Sequence, residues 1–121
     1  MSVGVLIGVG LLGGVGAIGR FLLDGAVAAR IGDRFPWGTL AVNLSGALAL
    51  GVLVGAGVGG DVLRLFGTGL LGAYTTFSTW MFESQRLAED GRLRRGLANL
   101  LVSLVLGVAL AWAGRELGGW L

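Results

Sequence analysis

Residues 69–80 read GLLGAYTTFSTW, and this stretch decides what kind of helical fold the chain adopts. It lies within a charge-free run between Arg64 and Glu83, and therefore at membrane depth. Glycines and β-branched threonines are poor formers of a helix interior. Four hydroxyl side chains fall within five positions here, and polar groups in hydrocarbon are costly unless they serve a function. We therefore predict a membrane helix that is broken near 72–76.

The composition of the 121-residue chain excludes most soluble classes of protein. Hydrophobic residues make up 55% and charged residues only 13%, whereas soluble domains carry about 25% charged residues. The absence of Cys and His excludes disulfides, iron–sulfur clusters and the common zinc and haem sites. Nine basic and seven acidic residues nearly cancel, so we expect no nucleic-acid partner. The class of protein that the composition still allows is a small protein embedded in the lipid bilayer.

Charged residues divide the chain into four charge-free runs, each long enough to cross a membrane. The runs cover residues 1–19, 35–60, 65–82 and 96–114. A crossing needs about 20 apolar residues, and a helix satisfies its own backbone hydrogen bonds in lipid. We predict an all-α membrane protein that forms a single transmembrane domain over residues 1–121. Its four transmembrane helices are expected at about 3–23, 36–60, 65–83 and 96–115.

The polar groups inside these runs favour an anion as the ligand. No Asp or Glu lies within any run, whereas a proton-coupled cation exporter needs an intramembrane carboxylate. Asn43 and the hydroxyls can donate hydrogen bonds. Phe77 and Trp80 lie on one helix face, their ring edges are electropositive, and Trp80 adds an N–H donor. Such groups suit a small, hard anion better than a cation.

Arg20, at the end of the first run, has two interpretations that the sequence leaves open. Its guanidinium can snorkel to the lipid headgroups with Asp24, one turn on, as its ion-pair partner. It can instead add positive potential at the entrance of an anion pathway.

The spacing of the glycines predicts close contacts between helices. Gly pairs four residues apart allow helix backbones to approach closely in a membrane. Four close-packed helices fill their own centre with side chains, so a continuous pathway is expected to need a second subunit. The pairs are Gly4/Gly8, Gly10/Gly14, Gly51/Gly55 and Gly55/Gly59.

Three segments resemble the small fluoride channels called Fluc or CrcB, and the likeness extends through nearly all of the chain. Residues 13–21, GGVGAIGRF, resemble the family's glycine-rich first helix, which ends in Arg. Residues 36–43, PWGTLAVN, are similar to its P-x-G-T-L-x-x-N segment. Residues 69–79, GLLGAYTTFST, resemble its third-helix break, G-x-x-G-x-x-T-T-F-S-T.

The resemblance implies a passive channel, not an enzyme, that exports cytoplasmic fluoride across the inner or plasma membrane of a prokaryote. It implies an antiparallel, dual-topology dimer with two pores, lined by Asn43 and an aromatic box. Phe77 matches the first phenylalanine of the box, and Trp80 stands where the family usually has a second one. Weaker candidates for polar lining are the hydroxyl residues Thr76, Ser78, Thr79 and Ser103.

The resemblance also implies a structural Na⁺ at the centre of the dimer. The ion would be bound by backbone carbonyl groups at the third-helix break. Carried over to this chain, the ligands are the carbonyls of Gly72 and Thr75, each contributed twice.

The distribution of arginines raises the question of orientation in the membrane. If residues 24–34 and 83–95 lie on one side, the count of arginines is 6 to 2 in favour of that side, or 7 to 2 with Arg20. The positive-inside rule then favours both termini outside. We therefore hypothesise that the chain prefers one orientation and pairs with an oppositely oriented homologue, the alternative being a second copy of itself.

Two other functions are compatible with a protein of this size. One is a small antiparallel multidrug or cation exporter, which the missing intramembrane carboxylate disfavours. The other is a non-transporting membrane assembly protein built on glycine packing, which would leave the hydroxyl cluster of residues 75–79 without a purpose.

Overall fold

The computed structural model describes residues 1–121 and consists entirely of helices and their connections, which confirms the predicted all-α fold. Helix α1 spans Val3–Ile31 and α2 spans Trp37–Gly55. The third segment, α3, consists of three consecutive pieces. A π-helix, Leu63–Leu71, lies between the short α-helical pieces Gly60–Val62 and Gly72–Tyr74. Helix α4 spans Ser78–Glu89, and α5 spans Leu93–Gly118.

Helix α1 is longer than the expected 3–23 because its stop signal is a glycine, not a charge. The Ser2 hydroxyl caps its start by accepting the N–H of Val5 at 3.1 Å. The helix continues through Arg20 and Asp24 and ends at Ile31, followed by the C-cap residue Gly32, whose φ is 94°. A left-handed φ favours glycine. Charged side chains can reach the headgroups from within a helix, so they do not mark its end.

Three helices, α1, α2 and α5, are long and apolar enough to cross a membrane. The third of the four expected spans, at about 65–83, is divided between α3 and α4 by residues 75–77. The break lies slightly later than the expected 72–76. Helix α2 ends at Gly55 instead of about 60, and α5 extends beyond the expected 96–115 at both ends.

Helices α2 and α5 form the most extensive contact in the fold, and glycines make it possible. A Cβ atom at Gly51 would overlap the carbonyl of Ala111, and one at Gly55 would overlap that of Arg115. On the other helix, Gly114 and Gly118 face backbone atoms of α2 in the same way. Gly51/Gly55 thus provides the close approach that its spacing predicts, and the complementary pair on α5 has the same spacing.

Helix α1 packs against α3 through a second set of glycines. A side chain at Gly16 would overlap the backbone of Leu70, and Gly69 lies against the backbone of Val9. By contrast, Gly10 and Gly14 have no atom within 4 Å of where a Cβ would stand. The predicted close contact at this pair is therefore not made within one chain.

The interior of a single chain is small. Only three hydrophobic side chains are buried, those of Leu40, Val42 and Leu87. Large apolar side chains are exposed along α1 and α5, from Leu11 and Phe21 to Trp112. A soluble protein does not expose so much apolar surface, so lipid or other subunits must cover it.

Candidate functional site

The helix break between Tyr74 and Ser78 is held by the side-chain amide of Asn43 on α2. The amide Nδ2 donates to the carbonyl oxygen of Thr76 at 2.9 Å, and the Thr76 N–H donates to the Asn43 Oδ1 at 2.8 Å. Thr75 has extended dihedrals, φ −80° and ψ 160°, so the helical ladder cannot continue there. Asn43 thus replaces hydrogen bonds that the broken helix has lost. Only one N–H of Nδ2 is used, which leaves the second available as a donor.

Two further residues of α2 support the same break. The hydroxyls of Ser45 and Tyr74 lie 2.7 Å apart in a hydrogen bond. Gly46 faces the methyl group of Thr75, and a Cβ at this position would overlap it. The segment from Asn43 to Gly46 therefore fits the irregular backbone closely. The sequence did not single out Ser45 or Tyr74 for this role.

The hydroxyl groups at the break have different roles. The Thr75 hydroxyl donates to the Leu71 carbonyl at 3.0 Å and is not available to a ligand. The Thr76 hydroxyl accepts the N–H of Thr79 at 3.2 Å, at the start of α4. Because that bond occupies a lone pair, the Thr76 hydrogen remains free to donate.

The break also leaves backbone carbonyl groups without partners. No N–H or O–H donates to the carbonyl oxygens of Gly72 or Thr75, the two predicted sodium ligands. Unpaired carbonyl oxygens are the ligands that hard cations prefer. The chain has no cluster of three or more acidic or histidine side chains that could hold a metal ion instead.

Six of the predicted site residues line one open groove of about 360 Å³ beside the break. No carboxylate and no arginine lines this groove. A second groove, of about 270 Å³, shares Asn43 and Trp80 with the first and adds Ser103 of α5. The six residues of the first groove are Asn43, Gly72, Thr75, Thr76, Phe77 and Trp80.

The aromatic pair has a defined edge-to-face geometry. The ring centroids of Phe77 and Trp80 are 5.6 Å apart, and the ring planes are inclined by 72°. The Phe77 side chain is 70% exposed, so it is largely uncovered in the single chain. In this geometry the electropositive edge of one ring meets the face of the other, and both residues line the groove.

The N–H of Trp80 is not available to an ion, contrary to its expected role as a donor. The indole Nε1 donates to the backbone carbonyl of Asn99 on α5 at 3.1 Å. The Asn99 side chain is fully buried and donates to the Ser84 hydroxyl at 2.7 Å. Ser84 in turn donates to the Trp80 carbonyl at 2.8 Å. This ring of hydrogen bonds fixes Trp80 and leaves its aromatic ring, but not its N–H, as the group that can face the groove.

Three of the predicted residues lie outside both grooves. Ser78 lines a separate depression on the α4 side, and Thr79 lines neither groove. Arg20 also lines neither groove, and its Nε is buried without a hydrogen-bond partner. The Arg20–Asp24 ion pair of the first interpretation is not formed, and the Asp24 carboxylate packs against Gly38 at the start of α2.

A carboxylate, that of Glu83, lies near the site through a contact that the sequence does not predict. The Thr39 hydroxyl, buried on α2, donates to Glu83 of α4. Thr39 lies one helical turn before Asn43 on α2. Its hydrogen bond therefore brings Glu83 within about one helical turn of the site, although Glu83 stands at the end of a charge-free run in the sequence. Both residues lie outside the two grooves.

Comparison with known proteins gives a consistent result over almost the whole chain. The family model described as "CrcB-like protein, Camphor Resistance (CrcB)" matches residues 7–115. The chain is 55% identical over 116 residues to a protein of Mycolicibacterium paratuberculosis named "Fluoride-specific ion channel FluC 2", which covers 96% of this chain and 95% of that protein. It is 52% identical over 115 residues to a protein of the same name from Mycobacterium tuberculosis, covering 95% and 91%. A protein of Rubrobacter xylanophilus named "Fluoride-specific ion channel FluC 1" is 47% identical over 108 residues, covering 88% and 87%.

Proposed function

The chain belongs to the CrcB-like family, and from this membership we propose that it is a fluoride-selective ion channel of the cell membrane. It exports cytoplasmic fluoride passively and is not an enzyme. The observation that carries the proposal is the groove beside the helix break, where hydrogen-bond donors and ring edges converge and no carboxylate is present.

The chemistry of this groove suits fluoride because the ion must exchange its water shell for other donors. The free N–H of Asn43 and the hydroxyl hydrogen of Thr76 provide polar donors, and the edges of Phe77 and Trp80 provide electropositive C–H groups. Ser103 of α5 adds a hydroxyl in the adjoining groove, where it makes only a long 3.4 Å contact with Asn99. Replacing a hydration shell with fixed donors is a general basis of selectivity in channels.

The main alternative is a coupled exporter of cations or drugs. The dependence of transport on a proton gradient distinguishes this exporter from a passive channel. The purified protein is reconstituted into liposomes loaded with fluoride, and efflux is followed with and without a transmembrane proton gradient. A passive channel gives fluoride efflux that persists when the proton gradient is collapsed. Efflux of a lipophilic cation that depends on the gradient, without fluoride efflux, would establish the exporter instead.

The functional unit of the proposal is an antiparallel dimer with two pores. Both grooves are open in the single chain, and Phe77 is 70% exposed. The unpartnered glycines Gly10 and Gly14 on α1 offer a further surface for close helix contact. A second subunit would cover these surfaces and close each groove into a pore.

A structural Na⁺ at the centre of the dimer forms part of the proposal. The carbonyl oxygens of Gly72 and Thr75 accept no hydrogen bond, and both residues line the open groove. This pair and the equivalent pair of the second subunit give four oxygen ligands of the type that Na⁺ requires. The ion would hold the two breaks together and supply no chemistry of its own.

We also propose that this chain prefers one of the two orientations in the membrane. Arg34 and residues 91–95 line one depression, so the α1–α2 and α4–α5 connections meet at the same end of the bundle. The 6 to 2 count of arginines therefore applies, and it favours both termini outside. An oppositely oriented homologue would then be the partner. Reporter fusions at the C terminus test this, since equal signals from both faces would contradict the bias.

A further inference from the structure

A cluster of arginines at one end of the bundle is not used by the proposed ion pathway. Arg34, from the α1–α2 connection, meets Arg92, Arg94 and Arg95 around an open depression of about 760 Å³. All four side chains are exposed. The turn that brings Arg92 here contains Gly91, whose φ of 77° favours glycine.

None of these four guanidinium groups has a partner within the protein. The single ion pair of the chain joins Arg64 and Asp61, on a different connection. The acidic residues nearest in sequence, Asp33, Glu89 and Asp90, are exposed but form no ion pair with them. Each guanidinium presents five donors in a planar fork that matches the oxygens of a phosphate group.

The first turn of α5 adds to the positive character of the depression. It contains no acidic residue, and the N–H groups of Leu93, Arg94 and Arg95 donate to no acceptor. Unpaired N–H groups at the start of a helix favour negative charge. They supplement the arginines, which carry most of the charge.

The position of the depression favours a lipid over a soluble anion as its ligand. Leu93 lines it, and below Leu93 a stripe of exposed apolar side chains follows α5 at helical spacing through Leu97, Leu101 and Val105. This stripe belongs to a helix that is apolar enough to cross the membrane. At the start of such a helix, we expect the guanidinium groups to lie at the level of the headgroups, next to an apolar surface that acyl chains can cover.

We propose that the depression formed by Arg34, Arg92, Arg94 and Arg95 binds the phosphate group of an anionic phospholipid, whose acyl chains lie along Leu97 and Leu101. The site is independent of fluoride conduction. It would hold anionic lipid at the arginine-rich end of each subunit. Long-range electrostatic attraction between basic residues and anionic lipid acts at the same end.

The test measures lipid retained by the full-length protein. Purified protein in detergent is mixed with equal amounts of phosphatidylglycerol and phosphatidylcholine, and bound lipid is counted by native mass spectrometry. The wild type is expected to retain phosphatidylglycerol preferentially. Arg92→Gln/Arg95→Gln is expected to weaken that retention by at least about tenfold.

The matched control is Arg30→Gln/Arg86→Gln, which removes the same charge from the last turns of α1 and α4, outside the depression. This variant is expected to retain phosphatidylglycerol as the wild type does. Equal losses in both variants would reduce the effect to general charge attraction and overturn the proposal. If Arg92→Gln/Arg95→Gln unfolds, Arg34→Gln on the other connection is measured in its place, and wild-type retention there would likewise overturn it.

A competition arm separates lipid from free phosphate. Millimolar inorganic phosphate is added to the wild type with bound phosphatidylglycerol. Retention of the lipid is the expected result, because the acyl chains contribute to its binding. Complete displacement by inorganic phosphate would show a site for soluble anions and contradict the assignment to lipid.

Discussion

The side chain of Asn43 makes two hydrogen bonds, 2.9 Å and 2.8 Å long, with the carbonyl and the N–H of Thr76. One side chain thus both holds the helix break and presents a free N–H beside the aromatic pair. This dual use connects the irregular backbone with the proposed ion pathway. We therefore expect replacement of Asn43 to have the largest effect on fluoride efflux.

We predict that Asn43→Ala lowers fluoride efflux at least about tenfold, which corresponds to about 1.4 kcal/mol in the barrier. The loss of the donor and of the clamp on Thr76 both act in this direction. Efflux from liposomes with a fluoride electrode measures the rate, and size-exclusion chromatography checks that assembly is intact. Asn43→Asp retains the acceptor for the Thr76 N–H but adds a negative charge, so it too is expected to conduct poorly. Wild-type efflux in Asn43→Ala would refute the lining role of Asn43.

Phe77→Ala is predicted to reduce fluoride efflux strongly while leaving the folding stability of the individual subunit almost unchanged. The ring is 70% exposed in the subunit, so its removal leaves little cavity, but it takes away an electropositive edge at the groove. Phe82, which is 63% exposed on α4 just after the break and lines neither groove, provides the matched control. Phe82→Ala should conduct like the wild type, and equal losses in the two variants would argue against an aromatic pore lining.

Trp80→Phe is predicted to conduct at close to the wild-type rate and to be less stable by about 1 kcal/mol. The substitution keeps an aromatic edge and removes only the N–H, which is bonded to the Asn99 carbonyl. Thermal unfolding and fluoride efflux are measured on the same preparation. Trp112→Phe, at an exposed position of α5, is the control for the loss of an indole. A Trp80→Phe channel with normal stability and no efflux would mean that the N–H belongs to the pathway.

The class of fold and the approximate place of the break could be predicted from the sequence. The exact ends of the helices could be predicted less well. The break followed from Gly72, Thr75 and their neighbours, because poor helix formers and hydroxyls coincide at membrane depth. The C-terminal end of α1 was harder to predict, since Arg20 and Asp24 looked like a boundary whereas the helix ends only at Ile31, before Gly32. Charge marks a membrane surface only loosely, because long side chains can snorkel.

The partners of individual polar groups could not be predicted from the sequence. Trp80 and Asn99 are far enough apart in the chain that only the packing of α4 on α5 brings them together. The same holds for Thr39 and Glu83, and for Asp24, which packs on Gly38 instead of pairing with Arg20. Helical spacing identifies neighbours within one helix, but contacts between helices depend on the fold.

Gly51→Ala is predicted to destabilise the subunit by about 1–3 kcal/mol, because the added methyl group would overlap the carbonyl of Ala111 and force α2 away from α5. Gly25→Ala is the matched control, since it lies within α1 with no atom within 4 Å of the new methyl group. That control should be neutral or slightly stabilising, as alanine is the better helix former. Similar unfolding temperatures for the two variants would contradict the close α2–α5 contact.

Anion selectivity in liposomes tests the central claim most directly. The purified wild-type protein is reconstituted at one density into vesicles loaded with either fluoride or chloride, and passive efflux of each ion is recorded with its own electrode. A pathway of fixed donors and ring edges at the helix break predicts rapid fluoride efflux and chloride efflux at the level of empty vesicles. Absence of fluoride efflux, or equal rates for the two ions, would contradict it.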